Sequence, residues 1–372
     1  MLGSNHKDLR DRNRRLFLTV LRKKGAMPKG DIARMTGLSV QTVSVISREL
    51  EEEGLIRRGE KRKGKVGQPS VPLQLAADGA LFVGLEVEAK KVELILVNFV
   101  GDILDRICST DAQFTPETAR KFAFFAAEEM SRRLSQGQSE KISGIGITDA
   151  LTDTDCWAKT WSLVGTKLGV GPDCPSHFGK EGSCACNAEL IFGSEHVPKH
   201  FLYIHIGHAV SGGLAIEGHL HQGCTGNAGS IDRFPLEGID RPSNRLSDMC
   251  SLDGLWNSAA AEGTCLNDIW VKTQAWGEFS DPVACWLGDA APAIAQVVIG
   301  ANALIDLPCV VIDGPMPKRL RKSIVLKVEE YLADSNPSSP NRPNVVEGSF
   351  GPDAVVLGAA SLPLSKLFML DA

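Results

Sequence analysis

Apolar residues recur at helical spacing over residues 13–24, where Leu16, Phe17, Val20 and Leu21 form one stripe. Gly25 ends that helix. Pro28 opens a second, "PKGDIARMTG", which Gly37 closes. Ser39 is placed to cap a third, "SVQTVSVISRELEEEG", which stops at Gly54. Ile32, Val43 and Ile46 are spaced to share one small core, Ala33 leaves room for two helices to cross, and Gly37 occupies a tight turn where positive φ is easy. Residues 55–58 and 71–75 then read as two short strands around a loop. Beyond Leu75 the texture changes. Strand-like runs such as "ALFVGLEVEAKKVELILVNFVGDIL", "KISGIGITDA" and "PCVVIDGPMP" alternate with helical stretches over residues 115–134 and 318–332. Alternation of this kind predicts an α/β body, and its length predicts two lobes with a cleft.

The first 76 residues are therefore expected to form one domain and residues 77–372 another. The three short helices match the helix-turn-helix pattern, whose second helix enters the major groove. The polar residues left on the outer face of that helix are Ser39, Gln41, Thr42, Ser44 and Arg48. Gln and Arg can bond base edges in pairs, and Ser and Thr can bond bases or phosphates. The loop that follows reads as a wing. Lys61, Arg62, Lys63 and Lys65 would lie near phosphates, and Gln68, between Gly67 and Pro69, could reach a minor groove.

Charge sharpens this division. Residues 1–75 carry 17 Lys and Arg against 8 Asp and Glu, whereas the whole chain has 40 against 45. A basic head on an acidic body points to a polyanionic partner for the head alone. No apolar signal core stands near the N-terminus and no long uninterrupted apolar run appears, so the expectation is a cytoplasmic protein without a membrane partner. Ten cysteines are scattered without a Cys-x-x-Cys, which in such a chain predicts reduced thiols.

Several segments carry a family resemblance. "GLEVEAKKVELILVNFVGDIL" resembles the opening hairpin of the ROK family, a name joining repressors, open reading frames and kinases. "YIHIGHAVSGGLAIEGHLHQGCTGNAGSID" resembles its central signature, and "VVIDGPMPKRL" and "FGPDAVVLGAASLPL" its closing elements. The resemblance spans nearly all of residues 13–372. It implies an N-terminal winged helix-turn-helix followed by a two-lobed actin/hexokinase-like (ribonuclease H-like) α/β domain. It also implies a transcriptional regulator, a repressor, that binds double-stranded operator DNA as a homodimer or dimer of dimers.

Kinases of that family open with a glycine-rich loop whose backbone N–H groups approach phosphate. The matching residues here are Glu86, Val87, Glu88, Ala89 and Lys90; Glu88 stands where a glycine should be and would repel phosphate. The family's Asn-Asp pair, which opens a helix and supplies the base, matches Ser183-Cys184 in "EGSCACNAEL". A neutral thiol is a poor base. Loss of both parts implies a protein that is not an enzyme. The remaining sugar contacts of the family match Ser230, Arg233 and Asp253, so Ser183, Cys184, Ser230, Arg233 and Asp253 are the expected effector site. Arg233 favours an anionic sugar derivative through charge-assisted bonds. The family's zinc cluster has no counterpart in "EGIDRPSNRLSDMCSLDGLW", which holds one cysteine, and no cofactor is expected. Two alternatives stay open: a sugar kinase with a fused head, and a regulator sensing a metal or thiol oxidation through Cys184, Cys186 or the His219-x-His221 pair with Cys224.

Overall fold

The computed structural model describes residues 6–60, 71–111, 113–149, 163–171, 173–236, 245–261, 281–335 and 342–370. The chain divides into two compact units, residues 1–179 with 359–372, and residues 180–358.

The first unit begins with the head. Helices α1 (His6–Lys24), α2 (Lys29–Thr36) and α3 (Val40–Glu52) precede the antiparallel strands β1 (Ile56–Arg58) and β2 (Leu73–Leu75). Their cause is local. Ser39 Oγ accepts the Thr42 amide at 3.0 Å and caps α3. Gly37 ends α2 in the left-handed region at φ 71°, where a Cβ is costly. Phe17, Ile32, Val43, Ile46 and Leu50 are at most 3% exposed, so the three stripes meet in one core. α1 starts at His6, about two turns before the expected residue 13; apart from Leu9, residues 6–12 are polar or charged, and helical propensity together with the ion pairs Arg10–Glu49 and Arg14–Glu49 to α3 carries the helix outward.

The same unit holds a five-stranded sheet, in the order β5 (Ile103–Thr110), β4 (Lys91–Asn98), β3 (Leu81–Val87), β6 (Ile142–Asp149), β7 (Ser176–Gly179). β3, β4 and β5 are an antiparallel meander; β6 and β7 continue it in parallel. Helix α4 (Pro116–Arg133), started by a Thr115/Thr118 capping box, lays Ala119, Ala123, Ala126, Ala127 and Met130 into the core with Val83, Leu85 and Leu94. The short α5 (Gln136–Ser139) leads into β6.

The second unit repeats this plan. Its sheet runs β10 (His219–His221), β9 (Val210–Ile216), β8 (Phe201–Ile206), β11 (Cys309–Asp313), β12 (Asn344–Glu347), again a meander followed by two parallel strands. Both faces of β8 are covered. Leu202, Ile204 and Ile206 join the large core; Phe201 and Tyr203 join a second cluster with Ala185, Cys186 and Val355. That is the period-two logic of a strand buried on both sides. The helices are α6 (Glu181–Phe192), α7 (Leu246–Cys250), α8 (Leu252–Ala261), α9 (Asp281–Ile305) and α10 (Lys318–Ser335). The last helix, α11 (Ala354–Phe368), starts here and ends in the first unit. Residues 282–305 of α9 have the length and apolar composition of a membrane span, contrary to the expectation of no such segment. Ala290, Ala291, Ile294 and Val298 of that helix are core residues of the unit, which accounts for its apolar composition.

Asp313, fully buried, organises the end of the second unit. It accepts hydrogen bonds from Tyr203 Oη at 3.0 Å and from the amides of Gly314 (2.9 Å), Phe350 (3.1 Å) and Gly351 (2.9 Å), and it pairs with Arg321. Four donors and a guanidinium supply what a buried carboxylate requires.

Candidate nucleic-acid interface and effector site

On α3, the buried set Val43, Ile46, Ser47 and Leu50 fixes which side faces out. Gln41 and Arg48 are exposed on the opposite side; Thr42 and Ser44 are half-buried beside them, and the exposed Ser39 is committed to the cap. Arg48 stands 3.9 Å from Glu52, and both side chains are 71% exposed. So weak a pair leaves the guanidinium available to another acceptor. Val45 lies on this outer face, 48% exposed, and Val40 at the helix start is 60% exposed on its flank. The sequence reading passed them over because valines count toward a core; only the helix phase separates them from Val43. α1 and α3 border a groove of about 500 Å³, lined by Leu9, Arg10, Asn13, Gln41, Val45 and Glu49 among others. β1 and β2 form the base of the expected wing. Its tip, with Lys61, Arg62, Lys63, Lys65 and Gln68, lies outside the described residues, as do Trp157 and Trp161.

The head is fastened within its unit. Arg22 of α1 donates to the carbonyl oxygen of Phe99 and lies over that ring, 5.2 Å from its centroid. Burial draws its guanidinium down to about 9. Phe99 packs edge-on against Phe368 of α11 with centroids 5.0 Å apart, and the Leu370 amide donates to Thr19 Oγ1 at 3.0 Å.

The turn between β3 and β4 holds charges rather than an open cradle. Glu86 and Glu93 are 1% and 2% exposed and Glu88 8%. Lys91 Nζ lies 2.7 Å from Glu86 and 3.3 Å from Glu93, and Arg106 lies 2.6 Å from Glu93. The Glu88 amide donates to the Lys91 carbonyl at 2.7 Å. Burial pushes the Glu86 carboxyl well above the usual range. Burial alone would lower Lys91, yet Glu86, Glu88 and Glu93 carry its ammonium well above its ordinary value.

The expected effector residues all belong to the second unit. Ser183 and Cys184 open α6, which presses onto β9 through glycines. A Cβ at Gly182 would meet the Gly212 amide nitrogen at 2.3 Å, and one at Gly229 would meet the Gly213 Cα at 2.8 Å. Backbones this close bring the Ser183 end of α6, strand β9 and the loop bearing Ser230 together. Asp253 sits on α8 at the start of the same strand, its Oδ1 2.9 Å from His208 Nδ1. The Leu252 amide donates to the Gly207 carbonyl at 2.9 Å, which holds α8 against the β8–β9 turn. His208 is the addition: the sequence reading weighed histidines as metal ligands, whereas this one orients a carboxylate.

Two expected residues sit differently from the others. Cys184 is fully buried, and on that side of α6 a Cβ at Gly358 would meet its carbonyl oxygen at 1.9 Å, so its thiol is not offered to a ligand here. Arg233 is 83% exposed at the side chain and leans to its neighbour Asp232 at 3.5 Å. Burial raises Cys186 well above the ordinary thiol value, followed by the charge of Glu189. Among the described residues no group of three or more His, Cys, Asp or Glu could hold a metal.

Residues 10–57 match the winged helix-turn-helix DNA-binding family, and residues 82–366 match the ROK family. The chain is 24% identical to the uncharacterized protein y4fQ of Sinorhizobium fredii, over 97% of this chain and 92% of that one. It is 24% identical to the xylose repressor of Caldicellulosiruptor bescii, over 71% of this chain and 67% of that one. In fold it is similar to a crystal structure of a ROK family transcriptional regulator, a homologue of the E. coli MLC protein, with a TM-score of 0.70, 18% identity, and 97% and 98% of the two chains covered. With a winged helix-turn-helix ahead of paired five-stranded sheets, and a family match over most of its length, the chain belongs to the ROK family.

Proposed function

We propose that this protein is a DNA-binding transcriptional repressor whose ROK body senses a carbohydrate or sugar-derived effector without phosphorylating it. The observation that carries the reading is the polar outer face of α3, with Gln41 and Arg48 exposed on a capped helix in a basic head. The likeness to a protein named xylose repressor supports both repression and a sugar effector. Absence of phosphoryl transfer is supported by the acidic β3–β4 turn, where Glu86, Glu88 and Glu93 hold Lys91 instead of an anion.

In this reading two heads of a homodimer bind two half-sites of an operator in the cytoplasm. An effector held near Ser183, Ser230, His208 and Asp253 changes DNA affinity by the difference in its affinity for the free and DNA-bound conformations. Footprinting the purified protein on the DNA upstream of its own gene, then adding neutral and acidic sugars, tests this. A protected site that one class of sugar releases supports the reading. No protection anywhere, or ATP-dependent phosphorylation of the sugar, overturns it.

A further inference from the structure

The outer face of α3 is not uniformly polar. Gln41, Val45 and Arg48 stand at i, i+4 and i+7, on one line of the helix opposite its buried side, and Val40 precedes them in the first turn. An exposed valine is ordinary on a protein surface. Here two occur on one short helix whose core is already supplied by Val43, Ile46 and Leu50. Valine is also a poorer helix former than alanine, because its branched Cβ is restricted against the preceding turn. Val45 also lines the α1–α3 groove, but the exposed half of its side chain and that of Val40 are not accounted for by packing or propensity in the isolated head.

The major groove gives them one. Each A·T pair presents there a single apolar group, the thymine C5-methyl, beside the adenine N6 and N7 that a glutamine amide bonds in a pair of hydrogen bonds. A valine next to a glutamine on the groove-facing line matches that arrangement. A run of G·C pairs would leave the valine methyls against polar edges. The 17 basic residues of the first 75 provide the charge complement that brings this face to DNA.

We infer that Val45, assisted by Val40, reads thymine methyl groups, and with Gln41 makes A·T pairs a specificity element of each half-site. This rests on the DNA-binding reading of the head. Burying one methyl group against a methyl corresponds to about fourfold in affinity.

The test uses the full-length protein and random 20-base-pair duplexes. Binding and selection are followed by remaking the enriched duplex with deoxyuridine in place of thymidine, which removes only the methyl groups. The wild type is expected to lose about fourfold or more on the uracil duplex. The Val40→Ala/Val45→Ala protein, with an unchanged thermal melt, is expected to bind both duplexes alike. Val45→Thr, which keeps a methyl, is expected to retain part of the preference. A wild type indifferent to the uracil exchange overturns the inference, as does an equal loss by wild type and double variant, or an enriched duplex without A·T pairs in its half-sites. Selection that enriches no sequence overturns the DNA-binding reading and this inference together.

Discussion

Arg22 of the first helix and Phe99 of the first sheet are joined twice: the guanidinium donates to the Phe99 carbonyl and also covers its ring. The head therefore shares a buried anchor with the sheet of its own unit, with Phe82 and Phe368 completing the aromatic cluster. Arg22→Ala removes a charged hydrogen bond and a desolvated cation–π contact, and is expected to cost about 3 kcal/mol in denaturant unfolding. Arg22→Lys keeps the charge but not the flat stacking surface, and is expected to lose less. Equal losses for both variants would assign the anchor to the shape of the guanidinium rather than to its charge.

Lys91 is the hub of the acidic turn. Lys91→Met leaves Glu86 buried without its counter-charge and is expected to destabilise by about 3–5 kcal/mol. Glu93 keeps Arg106 and is less affected. The double variant Glu86→Leu/Lys91→Met is expected to recover most of the loss, because two buried charges disappear together. A double-mutant cycle by urea unfolding measures the coupling.

His177 supplies a pH dependence. Burial, then the nearby charge of Lys366, lowers its ring below the ordinary 6.5, and its Nε2 is buried with no hydrogen-bond partner among the described residues. Between its folded value and 6.5 the unfolded chain binds more protons than the folded one, so stability rises with pH across that window and falls as the solution is made more acidic. His177→Gln is expected to flatten the slope of thermal stability over that window. An unchanged slope would place the acid sensitivity in other groups.

Two glycines should respond in opposite directions. Gly182→Ala drives a Cβ into the Gly212 backbone and is expected to cost about 3 kcal/mol, with loss of any effector-induced thermal shift. Gly30, in α2, has nothing within 4 Å of its notional Cβ. Gly30→Ala is expected to gain about 0.5 kcal/mol by stiffening the unfolded chain. Differential scanning fluorimetry of the two variants side by side checks both signs.

Local signals made the head legible: Ser39 as cap, Gly37 at positive φ, and the shared burial of Ile32, Val43 and Ile46 all appear where the apolar spacing puts them. The body was legible as α/β, but its duplicated sheet order was not. β3–β7 and β8–β12 share a strand plan without sharing a sequence pattern, because pairing order is set by long-range contacts. The acidic turn was visible as Glu86 and Glu88 in the wrong place for phosphate; that Lys91 neutralises them depends on strand register, with Glu86 opposite Glu93. In the second unit, Ser183 and Asp253 could be named from motif position. Their surroundings could not, since the burial of Cys184 follows from glycine contacts with segments distant in the chain.

The Thr19–Leu370 hydrogen bond spans 351 positions. During synthesis the helix-turn-helix emerges before the body, and its three helices have the local contacts they need to form at once. Its seat on the body is a different matter, because part of that seat arrives only when the ribosome has delivered Phe368 and Leu370. A nascent chain thus carries a formed head without its final mooring until Leu370 has been made, and a chain terminated before that residue would keep an unmoored one.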